Sequence, residues 1–189
     1  MTETTPSFDV LADGLKASDH DAYAALFKLM HEPLLRYTFR ITRDEALCLD
    51  ILQDVFMKLW EKRHQLEIRV SLKALLYTMA RNQALNAIRG TGKTIEINQI
   101  DCAKQLAIAP GAEKKLAAKQ LNAYFKSWIN ELPPRRAEAF ILSRHHDFSH
   151  LEISNIMGLS KRTIDTHITH ALRFLRERFE KLQKQGMES

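Results

Sequence analysis

Apolar residues recur along this chain at steps of three and four, the spacing of one face of an α-helix, and rarely alternate as in a strand. The pattern predicts a series of helices. Residues 1–17 form a loose arm ending in a short helix. Ser18 then caps a helix that carries Tyr23, Leu26, Phe27 and Met30 on one face. Pro33 interrupts this helix or starts the next, because proline suits a first turn and not an interior. Helical character continues from Leu34 to Ile41. Asp44 to Arg63 is the clearest helix of the N-terminal half, striped by Leu52, Val55, Phe56, Leu59 and Trp60. Ser71 to Arg89 follows, with Leu72, Leu75, Leu76 and Met79 clustered on one side. The period is lost from Thr91 to Glu113, which holds Gly92, Pro110 and Gly111 and is expected to be a linker with short ordered pieces. A helix from Lys114 to Asn130, a boundary at Leu132-Pro133-Pro134 and a helix from Arg135 to His145 come next.

The strongest pattern lies between Ser149 and Phe179. One helix runs from His150 to Met157. Gly158 stops it, supplying a backbone conformation that costs a Cβ-bearing residue energy. Ser160 caps a second helix, whose apolar stripe is Ile164, Ile168, Leu172, Leu175 and Phe179. At about 100° per residue, Arg162, Asp165, Thr166, Thr169 and Arg173 fall on the opposite face. That face is hydrogen-bonding and of mixed charge, as a surface that reads base edges must be. Lys161 and Arg162 in the first turn are poor for the helix dipole and suit a phosphate. Ser154, Gly158 and Ile164 fit the close crossing of a helix-turn-helix. The competing reading is an ordinary helical hairpin with a solvated outer face.

Composition narrows the class. At 189 residues the chain suits one ordinary domain or two small ones. Gly (6) and Pro (5) are scarce, so the fold expected is all-α. A net charge of +5 is modest, but the basic excess is local and favours an anionic partner such as nucleic acid. Two cysteines, Cys48 and Cys102, cannot build a disulfide framework and suggest a reducing compartment. With no long apolar run and no leader pattern at the N-terminus, the protein is expected to be cytoplasmic, without direct membrane insertion.

Two further faces carry chemistry. Asp50, Asp54 and Lys58 form a row at four-residue steps, with Gln53 beside them; it is either a solvated surface or a docking site for a basic partner. Between Ser71 and Ile95 no acidic residue occurs, whereas Lys73, Arg81, Arg89 and Lys93 are basic and Asn82, Gln83 and Asn86 add amides. Such a helix suits a nucleic acid backbone and exposed base edges, or is a core helix with polar edges. Other patterns fail. Gly90-Thr91-Gly92-Lys93-Thr94 is a fragment of a phosphate-binding loop, but the full motif needs glycine where Ala87 stands, and a preceding strand. His145, His146 and His150 lack the spacing of a metal site. Asp101 and Cys102 have no catalytic partners nearby. No nucleophile, base and oxyanion donor come together, so no enzyme activity, cofactor or metal is expected.

Taken together, these pieces resemble a bacterial sigma factor of the extracytoplasmic-function (ECF) class, within the sigma-70 family. The resemblance runs from about Tyr23 to Phe179. Asp50-Ile51-Leu52-Gln53-Asp54-Val55-Phe56-Met57-Lys58-Leu59-Trp60 is similar to the segment that grips the polymerase clamp. Leu72 to Tyr77, through Ala80-Arg81-Asn82 to Arg89, is similar to the segment that opens and reads the minus-ten element. Leu132-Pro133, Glu152-Ile153, Gly158, Ser160 and Thr163-Ile164 are similar to the segment that reads the minus-thirty-five element.

The resemblance implies an all-α, two-domain subunit of RNA polymerase. Residues 1–90 would be the region 2 domain, 91–113 a linker and 114–189 the region 4 helix-turn-helix domain. Asp50, Gln53 and Asp54 would bind core polymerase. Asn82, with Arg81, Asn86 and Arg89, would take a flipped base of the minus-ten element, a step that costs a few kcal/mol per base. Asp165, Thr166, Thr169 and His170 would face bases of the minus-thirty-five element; Lys161, Arg162 and Arg173 are placed for phosphates. The partners implied are core RNA polymerase, promoter DNA and an anti-sigma factor, often membrane-anchored. The sequence departs from the family pattern in ways that bear on which promoter is read. Leu75 stands where many members have Trp, Asn86 where an acidic residue is common, and Asp165-Thr166-His167 where a basic run is usual. The alternative is a helix-turn-helix transcriptional regulator that is not a polymerase subunit, with an effector pocket within residues 18–90. A helical interaction protein that binds no DNA is the third reading.

Overall fold

The computed structural model describes residues 6–90 and 112–187. Among them the chain is helical throughout, as expected of an all-α protein. The order is α1 (Phe8–Lys16), α2 (His20–Thr42), α3 (Glu45–Glu61), a 3-10 turn (Arg63–Gln65), α4 (Leu72–Gly90), α5 (Ala112–Glu131), α6 (Pro134–His145), α7 (His150–Met157) and α8 (Lys161–Met187). Two compact units result. One comprises residues 6–90 with 151–159, the other 112–150 with 160–187. The expected linker falls outside the described residues except for positions 112 and 113, which open α5. The glycine-rich fragment after Gly90 and the Asp101-Cys102 pair also lie outside them.

In the first unit the helix starts are set by side-chain caps. Asp44 Oδ1 accepts from Leu47 N at 3.1 Å to begin α3. Ser71 Oγ accepts from Ala74 N at 3.1 Å at the head of α4 and donates to Glu152 Oε1 of α7 at 2.6 Å. The cap of α2 is Asp19, not Ser18: Asp19 is extended and its Oδ1 accepts from Asp21 N at 2.8 Å, while Ser18 takes a left-handed turn (φ 63°) instead of the extended backbone typical of an Ncap. Nor does Pro33 break the chain. It lies inside a continuous α2 of 23 residues. An interior proline costs about 3 kcal/mol. Burying Met30 and Leu34, one on each side of it, offsets that at about 1.5–3 kcal/mol each.

The first core is formed by Leu26, Met30 and Leu34 of α2, Leu52, Phe56 and Leu59 of α3, and Leu76 and Tyr77 of α4, all almost fully buried. Two buried threonines complete α2 without orphaned hydroxyls, Thr38 Oγ1 donating to Leu34 O (2.9 Å) and Thr42 Oγ1 to Thr38 O (3.2 Å). Tyr77 stacks obliquely on Tyr37 at 4.9 Å, and burial pushes its phenol well above the usual tyrosine range. On α4 the expected leucine cluster is only half right. Leu72 and Leu76 are buried, but Leu75 and Met79 are partly exposed, and Ala74, Ala80, Ala84 and Ile88 complete the inward face.

In the second unit Trp128, Ile129, Leu132, Ala137, Phe140, Ile141, Ala171 and Leu175 form one core, flanked by Phe125, Phe174, Phe179 and Leu182. Pro134 opens α6, where its missing N–H is no loss. Glu131 and Arg178 form an ion pair that ties the end of α5 to α8. The inward stripe of α8 is Ile164, Ile168, Ala171 and Leu175. Leu172, expected in that stripe, is 37% exposed, because Ala171 holds the inward position and the next residue is turned about 100° away.

Candidate nucleic-acid and partner interfaces

The turn between α7 and α8 follows from three short-range effects. Gly158 has φ +63°. Ser154 Oγ donates to Leu159 O at 2.6 Å, satisfying a carbonyl that has left the helix. Ser160 Oγ accepts from Thr163 N at 3.1 Å and starts α8. A Cβ built on Gly158 would meet nothing within 4 Å, so glycine is required there by its dihedral angle and not by lack of room.

From that turn α8 presents a polar face. Lys161, Arg162, Thr166, Thr169 and Arg173 are exposed, with Asp165 and His170 partly so. The structure thus brings together all seven residues expected there. Two carry internal bonds that the sequence did not disclose. Thr166 Oγ1 donates to Arg162 O at 2.9 Å, so its hydrogen is committed to the helix. Asp165 Oδ1 is paired with Nδ1 of His150, the first residue of α7. A carboxylate accepts only, so the proton of that bond sits on the imidazole. Sequence alone had left His150 as one of three scattered histidines. Among the described residues no group of three or more His, Cys, Asp or Glu side chains is placed to hold a metal.

Sequence reading also passed over a cationic cluster in this unit. His167 has its pKa lowered, first by burial and then by Arg136, Arg135 and His170. Arg135 and Arg136 stand in the first turn of α6, where cations oppose the helix dipole. Lys161 and Arg162 in the first turn of α8 are placed in the same unfavourable way.

In the first unit Asn82, Asn86 and Arg89 share one exposed face of α4, and Arg89 Nη1 donates to Asn86 Oδ1 at 3.3 Å. Arg81 is partly buried on the flank of that face. On α3 Asp50 and Gln53 are exposed, whereas Asp54 is half-buried and pairs with Lys58 at 3.6 Å. Beside Gln53 lies an open groove of about 720 Å³ between α2 and α3, walled by Tyr23, Phe27, Leu49, Phe56, Met57 and Trp60. Phe27, Leu49 and Met57 are 42–48% exposed. The signal for it was a second stripe on α3, with Leu49, Gln53, Met57 and Trp60 at steps of four, four and three.

The molecule therefore carries a basic, amide-rich helix and a capped helix-turn-helix with a polar outer face, the equipment of a DNA-binding protein. Comparison with known proteins agrees with that geometry. Residues 26–94 match the family model for sigma-70 region 2, and residues 124–175 the model for sigma-70 region 4. The RNA polymerase sigma factor SigZ of Bacillus subtilis (strain 168) is 29% identical over 135 residues, 71% of this chain and 74% of that protein. The ECF RNA polymerase sigma factor SigM of the same organism is 24% identical over 164 residues, 86% and 95% of the two chains. Among solved structures, the sigma factor RpoE in complex with the anti-sigma factor NepR from Bartonella quintana superposes with a TM-score of 0.57 at 25% identity, over 82% of this chain and 94% of that one. CnrH in complex with the cytosolic domain of CnrY shares the fold, with a TM-score of 0.60 at 18% identity over 92% and 97%. The chain belongs to the sigma-70 family, as a sigma factor of the extracytoplasmic-function class.

Proposed function

We propose that the protein binds core RNA polymerase and directs it to promoters, performing no catalysis of its own and acting in the cytoplasm. One observation carries this reading. The two sigma-70 regions match in order, at 26–94 and 124–175, and each covers a helix whose outer face is polar or basic. Functionally the chain divides into residues 1–90, a linker at 91–113, and residues 114–189. Asp50, Gln53 and Asp54 are the contact for the polymerase clamp. Asn82, with Arg81, Asn86 and Arg89, takes the minus-ten strand. On α8 the phosphate contacts are Lys161, Arg162 and Arg173, and the base-facing residues are Asp165, Thr166, Thr169 and His170. Because a relative of this fold occurs in complex with an anti-sigma factor, such a protein, often membrane-anchored in this class, is the expected regulator of this one.

The test is transcription from a library of genomic fragments by purified core polymerase with and without this protein. New RNA 5′ ends that share a pair of upstream elements support the proposal. Absence of such ends, together with DNA binding by the protein alone, favours a regulator that is not a polymerase subunit. For that reading the α2–α3 groove would be the effector site. Lys161→Ala and Arg173→Ala should weaken all selected promoters alike and flatten the salt dependence by about one unit each, as phosphate contacts do.

A further inference from the structure

Asp165 is an unusual choice for the middle of a DNA-facing surface. Its neighbours Lys161, Arg162 and Arg173 suit phosphates, whereas a carboxylate is repelled by them. It is also a short side chain with freedom about two torsions. Both problems are met by one contact. His150 enters from the start of α7 and donates its Nδ1 proton to Oδ1 of Asp165, fifteen residues away in sequence. Both side chains remain partly open, at 39% and 48% exposure, so the pair is reachable from outside and not locked in the core. Oδ1 is thereby occupied, the carboxylate plane is set, and Oδ2 is left to accept a hydrogen bond.

From this geometry we infer that His150 is a specificity-determining positioning residue, which holds Asp165 so that its free oxygen meets one exocyclic amino group in the major groove. The inference rests on the reading of α8 as the minus-thirty-five reader. The chemistry selects the base. An amino donor in the major groove belongs to cytosine or adenine, and a lone carboxylate oxygen pairs best with cytosine N4, since adenine offers an adjacent acceptor that a carboxylate cannot satisfy. Holding the carboxylate in one orientation before binding removes the ordering cost that a free side chain would meet at the interface. The imidazole also spreads the negative charge that would face phosphates. His150 itself need touch no base. Its effect on base choice passes through Asp165, which distinguishes it from a phosphate contact.

The experiment uses the full-length protein in holoenzyme with core polymerase. Initiation is measured on a promoter set carrying every single base-pair change in the minus-thirty-five element. Wild type is compared with His150→Ala, His150→Gln, Asp165→Ala and the double alanine variant, and thermal unfolding verifies that each is folded. The expected result is that Asp165→Ala and His150→Ala relax preference at the same C·G base pair by about tenfold, equivalent to about 1.4 kcal/mol. The double variant should lose no more than Asp165→Ala alone. His150→Gln, which restores a donor, should recover most of the preference, as a merely structural role would not require. If Asp165→Ala relaxes one base pair while His150→Ala keeps the full preference everywhere, the positioning role is overturned and the docking of α8 stands. If Asp165→Ala lowers initiation uniformly or changes nothing, α8 is not the base reader at that position, and the inference falls with that reading.

Discussion

Replacing Gly158 gives a direct test of how the α7–α8 turn is built. An L-residue held in the left-handed region costs about 1–2 kcal/mol relative to its right-handed alternative. Part of that returns through the unfolded state, because any residue with a Cβ has fewer conformations to lose than glycine, an effect of about 0.4–1 kcal/mol. Taking the middle of each range, the net cost of Gly158→Ala is then about 0.8 kcal/mol. Since a Cβ at this position meets nothing within 4 Å, side-chain size should not matter. Gly158→Ser and Gly158→Leu should cost about the same as alanine, and Gly158→Asn less, because asparagine tolerates this conformation. For a chain of this length each kcal/mol lowers the melting temperature by about 2–4 °C. Urea unfolding followed by far-ultraviolet circular dichroism, with the slope checked for constancy, measures the differences. A cost that rises steadily from alanine to leucine would mean that the site is crowded. A neutral alanine would mean that the backbone leaves the left-handed region at little cost, and either result would refute the reasoning.

Two other perturbations probe separate parts of the molecule. Asp54→Lys should weaken binding to core polymerase in a pull-down while costing under about 1 kcal/mol of stability, since it removes only the half-exposed pair with Lys58 and adds a like charge one turn away; unchanged core affinity would remove Asp54 from the contact. The lowered pKa of His167 means that the folded state gives up this proton more readily than the unfolded chain. The unfolded state therefore binds more protons in the window just below the ordinary value of 6.5, and stability should fall as pH drops through it, being complete above. His167→Gln should flatten that part of the curve of urea midpoint against pH, and a curve identical to wild type would place the slope elsewhere.

Much of this was legible from residue patterns because the deciding interactions are local. Gly158, the Ser160 cap and the polar face of α8 depend on residues a few positions apart. Where sequence misled, a tertiary effect had overridden a local preference. Pro33 is carried within α2 because Met30 and Leu34 are buried around it. The inward face of α4 runs through alanines that no hydrophobicity count would rank above Leu75. Ala171, not Leu172, is the residue packed among Ala137, Phe140 and Ile141 of α6. The bond between His150 and Asp165 could not be read at all, since its partners lie on different helices, fifteen residues apart. The α2–α3 groove was visible only as a second apolar stripe on α3, hidden behind the stronger one.

The length of α8 has a mechanical consequence. Its far part, from Ala171 to Leu182, is clamped by α5 and α6, while its near end carries Asp165 and Thr166. From Ala171, where that clamp ends, to Asp165 is six residues, or about 9 Å along a helix axis. A rod of that length pivoting by about 13° at its anchored end swings its tip by about 2 Å, more than the tolerance of a hydrogen bond. Anything that shifts the aromatic bed of Phe125 and Trp128 would therefore displace the polar tip from a distance. A regulator could silence this helix by wedging its root and leaving the tip untouched.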